Sequence, residues 1–332
     1  MQSKKVVLIS PAVAAANNGN WHTAHRWAGF AKGHCDIDVL QQWPLSVTKN
    51  DEFAPLAMVA LHARRSASSI HAWARHYAAK PLVVVLTGTD LYRDIQSDKL
   101  AQQSLALATH LVVLQDFGIE ALPAGVRSKA RVIYQSAPQL SPAVKCARRF
   151  KAVMVGHLRD EKDPLTFMSA ATRLNGTPLR FEQIGDGLDA ALAAAAQSAA
   201  ASNHHYRWLG GLSRSETRQR IKRAHVLVNT SLMEGGAHVI LEAVQSQTAV
   251  LASRISGNLG MLGSDYAGYF DVGNVQQLVE LLQRCAQSPS FLALLQSQCQ
   301  RRASLFAPLQ EKRLVLNLLH DITLPSTTKA PP

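Results

Sequence analysis

Val153-Met-Val-Gly-His-Leu-Arg-Asp-Glu-Lys-Asp-Pro164 is the stretch that decides the fold. The apolar run opening at Ala152 reads as a buried strand, Gly156 to Asp163 as a polar, basic loop, and Pro164 is placed to start a helix. Strand, loop and helix in that order make one parallel α/β unit. Upstream, short apolar runs recur at Val6–Ile9, Ile37–Leu40, Ala57–Leu61, Leu82–Leu86, Leu111–Leu114 and Arg131–Ile133. Downstream they recur at Phe181–Ile184, Tyr206–Leu209, Val226–Val228 and Val250–Ala252. The polar passage Lys145–Arg149 interrupts the series, so two doubly wound α/β domains are expected, each with ligand-binding loops at the carboxyl ends of its strands, turned toward a shared cleft. The boundaries this reading sets are 1–147, 148–305, a closing helix over 306–322 and a disordered tail over 323–332. Asp189–Ala201, rich in alanine, reads as a lightly packed helix.

The composition supports that size class and excludes several others. With 332 residues, 47% hydrophobic and 17% charged, the chain has the make-up of a two-domain globular protein. Thirty-five Lys and Arg against 23 Asp and Glu leave a net charge of +12, which favours anionic ligands. The basic residues are scattered in short pairs, such as Arg64-Arg65 and Arg301-Arg302, and aromatics are only 6%, so no nucleic-acid partner is expected. Cys35, Cys146, Cys285 and Cys299 form no C-x-x-C pair, which argues against a metal site or a disulfide framework. The start of the chain, Lys4–Ala16, has the outline of a signal peptide, but Ser10-Pro11 breaks its apolar run early and Val6–Ile9 serves equally as a first strand. No run approaches the ~20 apolar residues of a membrane span, and a cytoplasmic protein is expected.

Ser231-Leu-Met-Glu-Gly-Gly-Ala-His-Val-Ile-Leu-Glu-Ala-Val244 carries the densest chemistry. A helix beginning near Gly236 would offer unpaired N–H groups and a partial positive charge suited to a diphosphate, and the glycines would admit its oxygens to the main chain. Glu242 would lie roughly 9 Å along that helix from Gly236. It and Glu234 could then accept hydroxyl hydrogen bonds from sugars on opposite sides of the diphosphate. Arg159 and Lys162 in the strand-exit loop are suited to offset a leaving diphosphate, with His157 on the same face as Arg159. Trp208-Leu-Gly-Gly211 is a strand-to-turn segment able to receive a flat base.

The first half offers candidates of its own. Asn17-Asn-Gly-Asn-Trp-His-Thr-Ala-His-Arg26 could bind an anion through main-chain N–H groups and Arg26, or be a plain polar turn. Leu86-Thr-Gly-Thr-Asp-Leu-Tyr-Arg93 ends a buried strand with more polar groups than a structural loop needs. Leu61-His-Ala-Arg-Arg-Ser66 is a third strand-end cluster, in which His62 is either a donor or a satisfied core histidine.

Gly156–Pro164, Gly185-Asp-Gly187, Leu209-Gly210 and the Glu234/Glu242 pair together resemble the family 4 glycosyltransferases of GT-B fold, over nearly the whole chain. Finer stretches, Ala60–Ala67, Leu86–Asp94, Val132–Ala137 and Ser264–Phe270, resemble the selenosugar synthases of the selenoneine pathway. The wider resemblance implies two Rossmann-like domains and a retaining transfer from a nucleotide sugar without metal or other cofactor. Its donor site would comprise His157, Gly185, Leu209, Gly210, Gly235, Gly236, Ala237, His238, Val239 and Glu242, with Lys162, Arg159 and Glu234 at the reacting centre. The family's arginine directly after the glycine is His157 here, which leaves open whether His157 or Arg159 supplies the second cation. The narrower resemblance implies a UDP-sugar donor, UDP-N-acetylglucosamine first among them, and selenophosphate as acceptor. The acceptor candidates are Asn18, Gly19, Arg26, Arg64, Thr87, Gly88, Thr89, Asp90 and Arg93. The alternatives are a lipid-linked or polysaccharide acceptor, a sugar-nucleotide epimerase and a non-catalytic sensor. A glycoside hydrolase fits poorly, because its carboxylates must face one bond at about 5–10 Å.

Overall fold

A computed structural model describes residues 4–11, 19–43 and 54–324. Asn18, most of the polar segment before Gly19, and the tail from residue 325 lie outside the described residues. The chain divides into two compact units, residues 1–135 with 309–332, and residues 136–308.

In the first unit, six parallel strands run β1 (Lys5–Ile9), β2 (Asp36–Leu40), β3 (Ala57–Leu61), β4 (Leu82–Val85), β5 (His110–Val113) and β6 (Ala130–Val132), in the spatial order β2-β1-β3-β4-β5-β6. Strands covered on both faces are apolar at every position, as Ala57–Leu61 and Leu82–Val85 are. Alternate residues feed two cores. Val7, Ile9, Met58 and Val84 pack with Ile70 and Trp73 on one face, while Val6, Leu8, Val59 and Val85 pack with Trp27 on the other.

The second unit repeats the plan with β7 (Phe150–Val155), β8 (Leu179–Ile184), β9 (Tyr206–Trp208), β10 (Val226–Asn229), β11 (Ala249–Ser253) and β12 (Tyr269–Phe270), in the order β12-β11-β10-β7-β8-β9. All pairs are parallel. Eleven of the twelve strands lie where the apolar runs placed them, and only the two-residue β12 had no counterpart. The alanine-rich helix spans Ala190–Ser202, capped by Asp189 and burying only Leu192 and Ala196. Among the described residues no helix is long and apolar enough to cross a membrane.

Two boundaries differ from the sequence reading. The division falls at Gln135 rather than at 147, because the intervening segment is bonded to the second unit: Ala137 N–H donates to Phe306 O at 3.3 Å and Leu140 N–H to Gln245 O at 2.9 Å. The closing helix, Pro308–Thr323, belongs to the first unit, where Val315, Leu318, Leu319 and Ile322 complete the core around Trp27. Its buried Glu311 accepts from Nε and Nη2 of Arg26, at 2.7 and 2.9 Å, and from the Trp27 indole N–H at 2.9 Å.

Removing this carboxylate leaves a largely buried guanidinium and an indole N–H unpaired. Glu311→Ala should therefore lose about 3 kcal/mol in urea denaturation. A loss below ~1 kcal/mol contradicts the role given to Glu311.

Candidate functional site

In the second sheet the chain moves from β7 outward to β8 and β9, then returns to β10 on the other side of β7. The crevice beyond the carboxyl ends of β7 and β10 is the switch point, where open α/β sheets bind ligands. The loop after β7 carries Gly156 to Lys162 and the loop after β10 carries Thr230 to Gly236. Main-chain and hydroxyl hydrogen bonds stitch the two together. Leu232 N–H donates to Glu161 O at 2.9 Å, and the Thr230 hydroxyl reaches Lys162 O at 2.7 Å and Asp163 O at 2.8 Å. Asp163 stands in the left-handed region at φ 43° and caps the helix Pro164–Arg173.

Across this seam Lys162 Nζ meets Glu234 Oε1 at 2.5 Å. The same oxygen accepts from Ser231 Oγ at 2.7 Å and Asn229 Nδ2 at 3.4 Å, so among the described residues the hydrogen bonds on this carboxylate fall on Oε1. Burial opposes ionisation of Glu234, but the Lys162 charge and these donors outweigh it and hold the carboxyl below its ordinary range. The Lys162 stem passes over Gly156, where a Cβ would make ordinary contact, 3.4 Å from Lys162 Cγ and Cδ.

The helix after the glycine pair starts at His238, with Ala237 as its cap residue, two residues later than Gly236. Glu242 is therefore about 6 Å into the helix. It is 4% exposed. Its Oε1 faces His238 Nδ1 at 3.3 Å, one turn back, and Arg214 Nε at 3.5 Å, with Arg218 Nε at 4.0 Å. Burial again works against the charge, and the hydrogen bond and charge of His238 with Arg214 and Arg218 prevail, so Glu242 is also held below the usual carboxylate range.

The exits of β7, β8 and β9 stack in order. Gly156 N–H donates to Ile184 O and Gly185 N–H to Gly210 O, both at 2.8 Å. Gly185 has φ +144°, and a Cβ there would lie 2.0 Å from Gly156 O, so no other residue fits. Leu209 and Gly210 are half-buried beside it, and the Trp208 indole donates to Gly185 O at 2.9 Å. His157 accepts the Asp186 N–H on Nδ1 at 3.1 Å, which leaves that nitrogen without a proton. Burial, more than the opposing pull of Asp186, lowers its pKa, so His157 is neutral at pH 7. The charged side chains of this loop available to an anion are thus Lys162 and Arg159, whose Nε is enclosed without a partner.

The first unit corrects several expectations. Arg26 is not poised for a ligand, because Glu311 neutralises it. Asp90 is fully buried and spent on the main chain, accepting Thr87 and Gly88 N–H on Oδ1 and Ala63 N–H on Oδ2, all at 2.9 Å. It holds the exits of β3 and β4 together instead of facing a ligand. His62, at φ 73°, is buried, with Nε2 at 3.0 Å from Thr89 Oγ1 and Nδ1 accepting Arg65 N–H. Burial lowers its pKa, making it the satisfied histidine of the two readings. Arg64 pairs with Asp98 at 2.6 Å and Arg93 with Asp94 at 3.0 Å, both guanidiniums about half exposed. Gly19 begins the helix that carries Arg26. Asn18 lies outside the described residues. The residues that sequence reasoning missed are Arg214 and Arg218, whose partner Glu242 is distant in the chain, and Asn229 and Ser231, small polar groups that donate to the nearby Glu234.

Comparison with known proteins places these observations in context. Residues 143–303 match the family described as Glycosyl transferases group 1. Sucrose-phosphate synthase from Thermosynechococcus elongatus superimposes with a TM-score of 0.76 at 14% identity, covering 96% of this chain and 99% of that one. HepE from Anabaena, solved in complex with UDP-glucose, gives 0.74 at 15% identity, covering 96% and 99%. The lipopolysaccharide outer core galactosyltransferase WaaB gives 0.69 at 14% identity, again covering 96% and 99%.

Because Glu234 and Glu242 are held below the ordinary carboxylate pKa of about 4.3, their stabilising effect is complete above that value and is lost as pH falls through the lowered folded values. Glu242→Gln should flatten the fall of melting temperature below about pH 4 relative to the unaltered protein, and an unchanged acid slope contradicts this. Gly185→Ala should fail to give a cooperatively melting protein or melt far lower, and wild-type melting contradicts the close approach to Gly156. Residues 143–303 are thus similar to the group 1 glycosyl transferases, and the chain has a GT-B fold of two Rossmann-like units.

Proposed function

We propose that the protein is a retaining glycosyltransferase that takes its sugar from a UDP-sugar. The observation that carries this reading is the Lys162–Glu234 pair set across the switch point of the second sheet, immediately before Gly235-Gly236 and the helix bearing Glu242. An ammonium held by one carboxylate oxygen keeps two further N–H donors for phosphate oxygens. The N–H groups of Gly236, Ala237, His238 and Val239 would take the remaining charge. Glu234 Oε2, which carries no hydrogen bond among the described residues, would accept a hydroxyl of the sugar, and Glu242 the ribose. Leu209 and Gly210 would border the base.

In this reading the acceptor attacks on the face from which the diphosphate departs. Lys162, Arg159 and the helix start stabilise the negative charge that develops on the leaving oxygen, with no covalent sugar on the protein and no metal. The narrower form of the proposal is a selenosugar synthase, with UDP-N-acetylglucosamine as donor and selenophosphate as acceptor: selenium displaces UDP from the anomeric carbon, and water then cleaves the P–Se bond to give the selenosugar and phosphate. It is supported by the sequence likeness of Ala60–Ala67, Leu86–Asp94, Val132–Ala137 and Ser264–Phe270, and by the net charge of +12. A soft selenium nucleophile needs little help from a base, and a small, highly charged anion needs positive potential. The exposed Arg64 and Arg93 would provide it beside Thr87, Gly88 and Thr89 by turning from Asp98 and Asp94, with which they now pair, to the anion.

The test is to incubate the protein with UDP-glucose, UDP-galactose or UDP-N-acetylglucosamine, with and without selenophosphate, thiophosphate or phosphate, and follow UDP and product mass. Selenophosphate-dependent UDP release is expected. Release only with a glycan or lipid acceptor rejects the narrow form, and epimerised donor without acceptor rejects transfer altogether. Lys162→Ala should melt lower, because Glu234 loses its cation, yet remain folded and lose about 10²–10³ in turnover, the typical cost of removing one stabilising group from a developing anion. Near-normal turnover at saturating donor contradicts the leaving-group role.

A further inference from the structure

Behind Glu234 lies a buried polar cluster in which Asn258 makes its own contacts away from the proposed ligand side. Asn258 sits on the helix Ser256–Leu262 and is fully buried, as is Ser253 at the end of β11, and Asn229 is 3% exposed. The Asn258 Nδ2 donates to Asn229 Oδ1 at 3.0 Å, to Ser253 O at 2.9 Å and to Ser253 Oγ at 3.2 Å. Its Oδ1 has no partner among the described residues. Turning the amide over would satisfy neither side, because Oδ1 would then face the two acceptors, Asn229 Oδ1 and Ser253 O. The orientation of Asn258 is therefore fixed. It fixes Asn229 in turn, since an Asn229 whose Oδ1 accepts from Asn258 must present Nδ2 to Glu234 Oε1. A second path runs in parallel: the Ser253 hydroxyl donates to Ser231 O at 2.6 Å, and the Ser231 hydroxyl donates to Glu234 Oε1. The helix itself is pressed against this loop. A Cβ on Gly257 would lie 2.0 Å from Glu234 O, so only glycine permits the approach.

We infer that Asn258 is a positioning residue for sugar transfer: through Asn229 it fixes the Glu234 carboxylate so that Oε1 gathers the internal donors and Oε2 is presented to the donor sugar. The inference rests on the UDP-sugar reading above. A buried amide whose carbonyl oxygen goes unpaired is costly, and here the cost is tied to the orientation of the Glu234 carboxylate. The relay acts on the sugar end of the donor. Glu242 and the helix start, which would hold the ribose and diphosphate, do not take part in it.

The test uses the full chain with UDP, UDP-glucose and UDP-N-acetylglucosamine as probes. Asn258→Asp is nearly isosteric but removes the Nδ2 donor, and Asn229→Asp removes the donor to Glu234 from the other end of the relay. Met261→Leu, on the same helix but outside the cluster, controls for packing. Each variant is first checked by thermal melting. Both relay variants should bind UDP within about twofold of the unaltered protein, yet lose about tenfold or more in kcat/KM for UDP release from the UDP-sugar, matching the loss of one hydrogen bond to a charged group. The acid limb of their pH–rate profile should also move to higher pH, as expected for a Glu234 deprived of a donor. If only one relay variant folds, it alone carries the test. Unchanged kcat/KM and an unchanged acid limb overturn the inference, as does a fall in UDP affinity matching the fall in kcat/KM, or a Met261→Leu variant that behaves like the relay variants. An unaltered protein that neither binds UDP nor releases it from any UDP-sugar overturns the donor reading itself, and the inference with it.

Discussion

The Lys162–Glu234 ion pair is the contact on which the second unit's crevice depends. Neither partner is free in solvent, with side chains 20% and 10% exposed. A carboxylate so enclosed stays charged only because a cation and hydrogen-bond donors surround it. The pair closes the seam between the loops that leave β7 and β10, and much of the local architecture serves to keep it there. Thr230 anchors the backbone of Lys162 and Asp163. Gly257 lets a helix press against the main chain of Glu234, and Asn229 and Ser231 aim donors at one oxygen of its carboxylate.

Concentrating all internal hydrogen bonds on one oxygen has a chemical consequence. The carboxylate is rigid yet half unsatisfied, which is the state a ligand hydroxyl requires. Glu242 follows the same logic with different partners, facing His238, Arg214 and Arg218 through one oxygen. The two acids are thus separately preorganised on either side of a helix start, an arrangement better suited to holding the two ends of a nucleotide sugar than to acting together on one bond. Neutral His157, held by the Asp186 main chain, leaves the cationic work in the β7 loop to Lys162 and Arg159.

Most of the scaffold was legible because parallel strands buried on both faces read as unbroken apolar runs, and the crossover helices carry their own period. The two-residue β12 has no such run. Local pattern also placed Lys162, Glu234 and Glu242 in one neighbourhood, since the loops that bear them follow recognisable strands. Errors arose where a side chain's partner is far away in sequence or is main chain. Arg26 looked like an anion ligand because nothing near it reveals Glu311, which sits 285 positions later. Asp90 looked like a ligand group because a carboxylate that accepts backbone N–H groups leaves no signature in residue type. The domain boundary after Gln135 is set by main-chain hydrogen bonds from Ala137 and Leu140, to which composition is blind. Asn229 and Asn258 were missed for a related reason, though an asparagine closing the apolar run Val226-Leu-Val-Asn229 is a polar group a buried strand would not keep without a use.

The central claim is that the crevice between the ends of β7 and β10 holds the diphosphate of a nucleotide sugar. A crystal structure of the protein with UDP tests it most directly. The account predicts a phosphate oxygen within hydrogen-bond distance of Lys162 Nζ and of the main-chain N–H groups between Gly236 and Val239, with the ribose hydroxyls on Glu242. Nucleotide bound elsewhere, with the Lys162–Glu234 pair untouched by any phosphate, would contradict it.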